Sequence, residues 1–418
     1  MALRLAARAG SRVSGLVVRP RRRGHRRFAL GLGLLACSQL QGQTALAEEE
    51  APVYHGLDND EINNDETYFD ADYGFVKIIA GTSNAQLSSE VANKLGVSLA
   101  DCEVGRYADG EVRINLNEHV RGKDIYIIQS GQKPVNDHLI ELLLLVSTAQ
   151  RASAKRVTAV IPFFPYKHHR RSIAVNKRLH SRFLWSPAAD FGKMLEIMGV
   201  DRVIVVDMER PGFSTESNFF STDVPVETLL TTHLFAEYFG TQVFKKDHAR
   251  PIVVVSPSTV LLKKAVSFRN VLQKHLPDTK VKVAGFVHSS SAHGPVDVTT
   301  NILDEPSSIK GSDVVICDEL IDTGGSVAKL TKRLKALGAQ DVYIYSSHGL
   351  FNDDAIEQIE KSPIKLVVVS NTVPLPPNCT STKINSVSIG HRLAKLIYAE
   401  HVRSADIFKA EMEVEEMN

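Results

Sequence analysis

Three observations on this 418-residue chain predict an α/β fold of two similar domains with mainly parallel sheets. From Val76 onward, short runs rich in β-branched residues alternate with longer helical patterns, the signature of βαβ units. The short runs are apolar throughout, as parallel strands covered on both faces must be. Beyond Tyr73 the chain is also long enough to bury two cores.

In order, the strands are expected at Val76 to Ala80, Asp124 to Gln129, Arg156 to Pro162, Val203 to Asp207, Ile252 to Ser256, Val281 to Phe286, Val314 to Cys317, Val342 to Ser346 and Lys365 to Ser370. Helical patterns separate them, including Asn84 to Leu95, Asp137 to Arg151, Leu261 to Lys274 and Ser326 to Leu337. The two domains are expected to meet near residues 215 to 225, giving 73–220 and 221–402 with a tail over 403–418. In such sheets ligands sit beyond the carboxyl ends of the strands, so the loops there are where chemistry is sought.

The balance of 49 Lys+Arg against 48 Asp+Glu gives a net charge of +1, too little for the field that holds a nucleic-acid backbone. No apolar run reaches the 18 residues of a membrane span, so neither a nucleic-acid partner nor a membrane span is expected. The four cysteines, Cys37, Cys102, Cys317 and Cys379, lie far apart in no metal-binding or disulfide spacing.

Charge is nevertheless uneven. Residues 1–47 hold nine arginines, no lysine and no acid, the composition of a transit peptide. A mitochondrial presequence is expected, with a plastid address as the alternative. Residues 48–72 hold ten acids and no lysine or arginine, a self-repelling block expected to stay a solvated, disordered segment.

The sharpest motif runs from Val314 to Ser326: an apolar strand, the acid pair Asp318 and Glu319, then Asp322-Thr323-Gly324-Gly325-Ser326 opening a helix. Glycines let backbone N–H groups converge on a phosphate, and a helix N-terminus adds positive potential. Thr323 and Ser326 supply hydroxyls, while Asp318 and Glu319 suit sugar hydroxyls or a divalent ion.

This run resembles the ribose-5-phosphate loop of the phosphoribosyltransferase fold, and the body from Val76 to Val402 resembles the ribose-phosphate pyrophosphokinase (PRPP synthetase) family. The shared landmarks include Gly81-Thr82-Ser83-Asn84, Cys102 to Glu111, Val120 to Asp124, Pro134-Val135-Asn136-Asp137, Arg151 to Arg156 and Ser256-Pro257. The resemblance implies two phosphoribosyltransferase-like, Rossmann-like domains. It also implies transfer of a pyrophosphoryl group from Mg-ATP to ribose 5-phosphate, with Mg as the cofactor.

Residue by residue, it implies that Asp318, Glu319, Asp322, Thr323, Gly324, Gly325 and Ser326 bind ribose 5-phosphate. Nucleotide binding would fall to Tyr107, Asp109, Glu111, Lys167 and Arg171, with Tyr107 where the family has a phenylalanine that stacks on the base. The metal would fall to Asp207, Glu209, Asp223 and Glu227, with Glu209 in place of the family's histidine.

Two departures weigh most. After Ser256-Pro257 the family continues with an aspartate and glycines, whereas this chain reads Ser258-Thr259-Val260-Leu261, and β-branched Val260 is ill suited to positive φ. The family's catalytic loop carries a lysine and arginines, whereas no Lys or Arg stands here between Lys282 and Lys310. Losing such cations costs roughly 10³- to 10⁵-fold in rate.

The expectation is therefore a non-catalytic or weakly active associated subunit that keeps the ribose-5-phosphate loop. It would form a homo-oligomer or a hetero-oligomer with PRPP synthetase-family subunits, since in the family the loop matching Tyr107 reaches a neighbour's nucleotide. An active ribose-phosphate diphosphokinase is one alternative. A structural subunit of an organellar assembly, docked through residues 48–72, is another.

Overall fold

The computed structural model describes residues 75–166, 187–208, 220–221, 223–245, 248–285 and 309–402. The expected presequence, acidic segment and tail lie outside them.

The first sheet is built from β1 (Val76–Ala80), β4 (Asp124–Ile128), β5 (Arg156–Ile161), β6 (Arg202–Val206) and β7 (Val226–Leu229) in the order β1-β4-β5-β6-β7. Every pairing in it is parallel. Between β1 and β4 the chain forms α1 (Ala85–Leu95) and an antiparallel hairpin, β2 (Cys102–Arg106) with β3 (Val112–Leu116). The helices α2 (Val135–Arg151) and α3 (Pro187–Ile197) follow β4 and β5.

Local chemistry sets these boundaries. The Asn84 side chain accepts a hydrogen bond from Leu87 N at 3.2 Å to start α1, and Gly96, at φ 75°, ends it in the left-handed conformation. β4 is buried at every position because helices cover both faces of the sheet. α2 and α3 pack on one face through Leu142, Leu145, Phe191 and Leu195.

The second sheet has the order β13-β12-β11-β10-β8-β9, again wholly parallel. Its strands are β8 (Ile252–Ser256), β9 (Val281–Gly285), β10 (Asp313–Ile321), β11 (Val342–Gly349), β12 (Leu366–Ser370) and β13 (Ile384–Val387). One face is covered by α4 (Thr232–Tyr238) and α5 (Leu262–His275), which bring Phe235, Phe268 and Leu272 against Tyr345. The other is covered by α6 (Gly325–Ala336) and α7 (Ala355–Glu360).

Sheet membership divides the chain differently from the expected 73–220 and 221–402. β7 joins the first sheet, and the last described helix, α8 (residues 390–402), returns to it. Ile389, Leu393, Ala394 and Ile397 complete the core formed by Val76, Ile78, Leu87, Tyr126 and Ile128. Polar contacts tie the helix down: Arg202 pairs with Glu400, and His401 Nδ1 lies 2.9 Å from Asp124 Oδ2, which also pairs with Arg156 at 2.6 Å. The physical reason is coverage, because α1 alone leaves part of that face of the first sheet bare.

The two sheets meet at the carboxyl ends of their strands. Ser130, after β4, donates to Thr372 O at 2.7 Å, and the Asn84 amide donates to Asn371 O at 2.8 Å. Ser347 of β11 donates to Asp207, just beyond β6, at 2.5 Å.

Leu393→Ala is expected to cost about 2–4 kcal/mol through the cavity it leaves beneath α8, measured by urea unfolding. A loss below about 1 kcal/mol would mean that the helix is only loosely seated.

Candidate functional site

The loop at the end of β10 is the site that the sequence describes most completely. The strand runs farther than its apolar segment, through Asp318 and Glu319 to Ile321, and its pairing with β11 continues to Ile321↔Gly349. Val314, Ile316 and Ile321 pack in one core layer while Val315 and Cys317 pack in the other, so strict two-residue alternation breaks between Cys317 and Ile321. The acid pair sits at that break, half-buried at the rim of the sheet.

Asp322 is held in place, because Asn352 donates from its side chain to Asp322 Oδ1 at 2.7 Å and from its backbone to Asp322 O at 3.0 Å. Gly324 adopts φ 74°, and a Cβ there would also lie 3.2 Å from Ala355 O, so this position needs glycine for both conformation and space. Gly325 opens α6 with Gln358 Oε1 3.3 Å from where its Cβ would be. The first turn of α6 carries no acid and no side-chain cap, and Thr323 and Ser326 are exposed beside it. Uncapped N–H groups, two hydroxyls and a helix dipole are chemistry that can receive an oxyanion. The seven residues predicted for a sugar phosphate are thus brought together.

Of the predicted nucleotide residues, Tyr107, Asp109 and Glu111 lie in the tight connection of the β2–β3 hairpin. Asp109 Oδ1 accepts from Glu111 N at 3.0 Å, and Tyr107 N donates to Glu111 O at 2.8 Å. Tyr107 is 54% exposed, and an exposed tyrosine ring can stack on a flat partner. Lys167 and Arg171 lie outside the described residues.

Of the predicted metal residues, the described Asp207, Asp223 and Glu227 are not gathered into one group. Asp207 is buried at φ 45°, and its Oδ2 is taken up by the Lys264 ammonium at 3.1 Å, the Ser347 hydroxyl at 2.5 Å and the Thr231 hydroxyl. Burial pushes this carboxyl up, but Lys264, Ser347 and Thr231 outweigh it and hold the group down at about 2. In this arrangement the buried Asp207 carboxylate is paired with the Lys264 ammonium. Asp223 is exposed in a turn, Glu227 is half-buried on the edge strand β7, and Glu209 lies outside the described residues. Among the described residues no group of three or more His, Cys, Asp or Glu side chains is placed to hold a metal ion.

The loop after Ser256 is closed on itself. The Ser256 hydroxyl donates to Ser258 O at 2.6 Å, Thr259–Leu261 forms a 3₁₀ turn, and Ser258 is extended at φ −155°. It contains no glycine and no acid. The segment 288–294, expected to lack the catalytic cations, lies outside the described residues.

Lys264, Ser347, Thr231 and Asn352 were not singled out from sequence. One signal was legible: Lys263 and Lys264 stand in the first turn of a helix, where cations oppose the dipole and call for a specific partner.

Comparison with known proteins places this geometry. Residues 76–186 match the family described as the N-terminal domain of ribose phosphate pyrophosphokinase, and residues 299–410 match the phosphoribosyl synthetase-associated domain. A ribose-phosphate pyrophosphokinase of Caldanaerobacter subterraneus is 32% identical over 326 residues, 78% of this chain and 95% of that protein. The chain belongs to the ribose-phosphate pyrophosphokinase family. Another such pyrophosphokinase, from Vibrio vulnificus, is 34% identical over 327 residues, covering 77% and 95% of the two chains. The crystal structure of phosphoribosylpyrophosphate synthetase from Mycobacterium smegmatis superposes with a TM-score of 0.66 at 27% identity, over 78% of this chain and 99% of that one. The match thus spans 95% of these relatives' length, and the family belongs to nucleotide metabolism. Among its described residues no helix is long and apolar enough to cross a membrane.

The Asp207 pair has a pH signature. Its folded pKa, about 2, lies below the ordinary 3.8, so its contribution is full above pH 4 and is lost as pH falls from about 4 to about 2. Asp207→Asn is expected to lower neutral-pH stability by about 2 kcal/mol and to flatten the urea-midpoint profile over that window. An unchanged acid limb in the variant would show that other groups dominate it.

Proposed function

We propose that this chain is a ribose 5-phosphate-binding, associated subunit of the PRPP synthetase type whose own pyrophosphoryl transfer is absent or weak. The observation that carries the binding half is the cradle at Asp318 to Ser326, where Gly324 at φ 74° delivers the uncapped start of α6 to an anion. The phosphate would rest on the N–H groups of α6 with Thr323 and Ser326. Asp318 and Glu319 would accept the ribose hydroxyls and hold a magnesium ion, whose chemistry is to neutralise phosphate charge.

What supports weak transfer is the closed turn from Ser256 to Leu261, together with the absence of Lys or Arg between Lys282 and Lys310. Each preorganised donor missing from such a site costs about 10²- to 10³-fold in rate. One observation favours an active ribose-phosphate diphosphokinase instead: the chain spans 95% of relatives that carry that name. The hairpin's exposed Tyr107 supports assembly with further subunits of the same type, and the arginine-rich residues 1–47 support delivery to the mitochondrion.

The deciding measurement is AMP formation from Mg-ATP with and without ribose 5-phosphate, read beside thermal stabilisation by ribose 5-phosphate. Stabilisation is expected without AMP at a typical kinase rate of about 1 per second. Ribose-phosphate-dependent AMP at that rate would establish the active reading. Gly324→Val, which forces a branched side chain into positive φ against Ala355, is expected to abolish the thermal shift. An unchanged shift in the variant would sink the cradle assignment. Residues 1–47 fused to a fluorescent reporter are expected to direct it to mitochondria, and a plastid or cytosolic signal would overturn that address.

A further inference from the structure

We propose that Glu141 is the positioning residue of the β2–β3 hairpin, acting through Arg106 to hold Tyr107 and Asp109 out for a purine nucleotide. This rests on the adenine-side reading of the hairpin.

The hairpin needs an anchor. A two-stranded ribbon is marginal in water, and no residue of β2 or β3 is fully buried. Its inner side chains, Cys102, Val104, Ile114 and Leu116, only partly cover the core beneath. These contacts hold the base of the ribbon, whereas the functional residues lie at its far end, immediately after Arg106.

At that end one charged group reaches out of the core. Glu141 of α2 is 2% exposed, and both its oxygens are used. Oε1 lies 2.8 Å from Arg106 Nη2, while Oε2 accepts from the Thr82 hydroxyl at 2.5 Å and from Gln129 Nε2 at 2.6 Å. Thr82 and Gln129 belong to the loops that end β1 and β4, and Gln129 Oε1 in turn accepts from Ser83 N at 3.0 Å. Glu141 is thus locked by the rigid strand ends of the first sheet. It passes that rigidity to the last residue of β2, beside the exposed ring. Asp137, 3.8 Å from the same guanidinium nitrogen and largely exposed, offers only a weaker second hold. A carboxylate buried this deeply leaves Arg106 little freedom to depart, because an unpaired buried charge is costly.

Hydrogen exchange on the full chain tests the anchor directly, and calorimetric titration with ADP tests its purpose. In Glu141→Gln, and in Arg106→Leu at the half-exposed end of the pair, the Tyr107 and Gly110 amides are expected to exchange about tenfold faster while those of α2 and β4 stay protected. Arg106→Lys, which keeps a cation, is expected to restore most of that protection. ADP affinity is expected to fall about tenfold in Glu141→Gln and Arg106→Leu, with stabilisation by ribose 5-phosphate unchanged. Wild-type exchange across 102–116 in both variants would overturn the proposal, whatever their melting temperatures. A wild-type chain that binds no ADP would overturn the nucleotide role of the hairpin, and the exchange rates alone would then decide whether Glu141 anchors it.

Discussion

The buried pair of Asp207 and Lys264 is the interaction on which the arrangement of this molecule turns. Parallel sheets gather their strand ends, and with them their binding loops, along one edge. Here two such edges face each other, so polar backbone and side-chain groups from both are trapped between two cores. Asp207 resolves the conflict by accepting from Lys264, Ser347 and Thr231 at once, and the neighbouring contacts of Ser130 with Thr372 and Asn84 with Asn371 extend the seam. Each partner comes from a different segment, so the pair can form only when both sheets are in place.

Two helix N-termini illustrate how similar starts serve opposite ends. Both α5 and α6 follow a strand of the second sheet. At α6 the turn is opened by Gly324 and left free of acids, which keeps its positive end available. At α5 the approach is closed by the Ser256–Ser258 hydrogen bond and a 3₁₀ turn, and lysines occupy the first turn. Lys264, a cation at the positive end of this helix, is offset by its reach to the Asp207 carboxylate.

Much of this was legible in the sequence. Strands buried on both faces announce themselves as apolar runs, and β1 and β8 begin and end where those runs do. The elements that escaped notice are the half-exposed ones: the β2–β3 hairpin and the four-residue edge strands β7 and β13, whose patterns mix polar and apolar residues. The glycine turn from Asp318 to Ser326 was readable because its residues are contiguous. The surroundings of Asp207 were not legible, because its partners Lys264 and Ser347 lie 57 and 140 residues away along the chain. No local pattern records a partner at that distance.

The return of residues 389–402 to the first sheet makes this chain's topology a closed circuit. The core around Val76, Ile78 and Tyr126 is completed by α8 as well as by its near neighbour α1. A ribosome therefore cannot release a finished amino-terminal half first. Until α8 emerges, one apolar face of the first sheet stays partly uncovered, a long-range closure of the kind that slows folding. For this molecule, completion of the first half and completion of the whole are a single event.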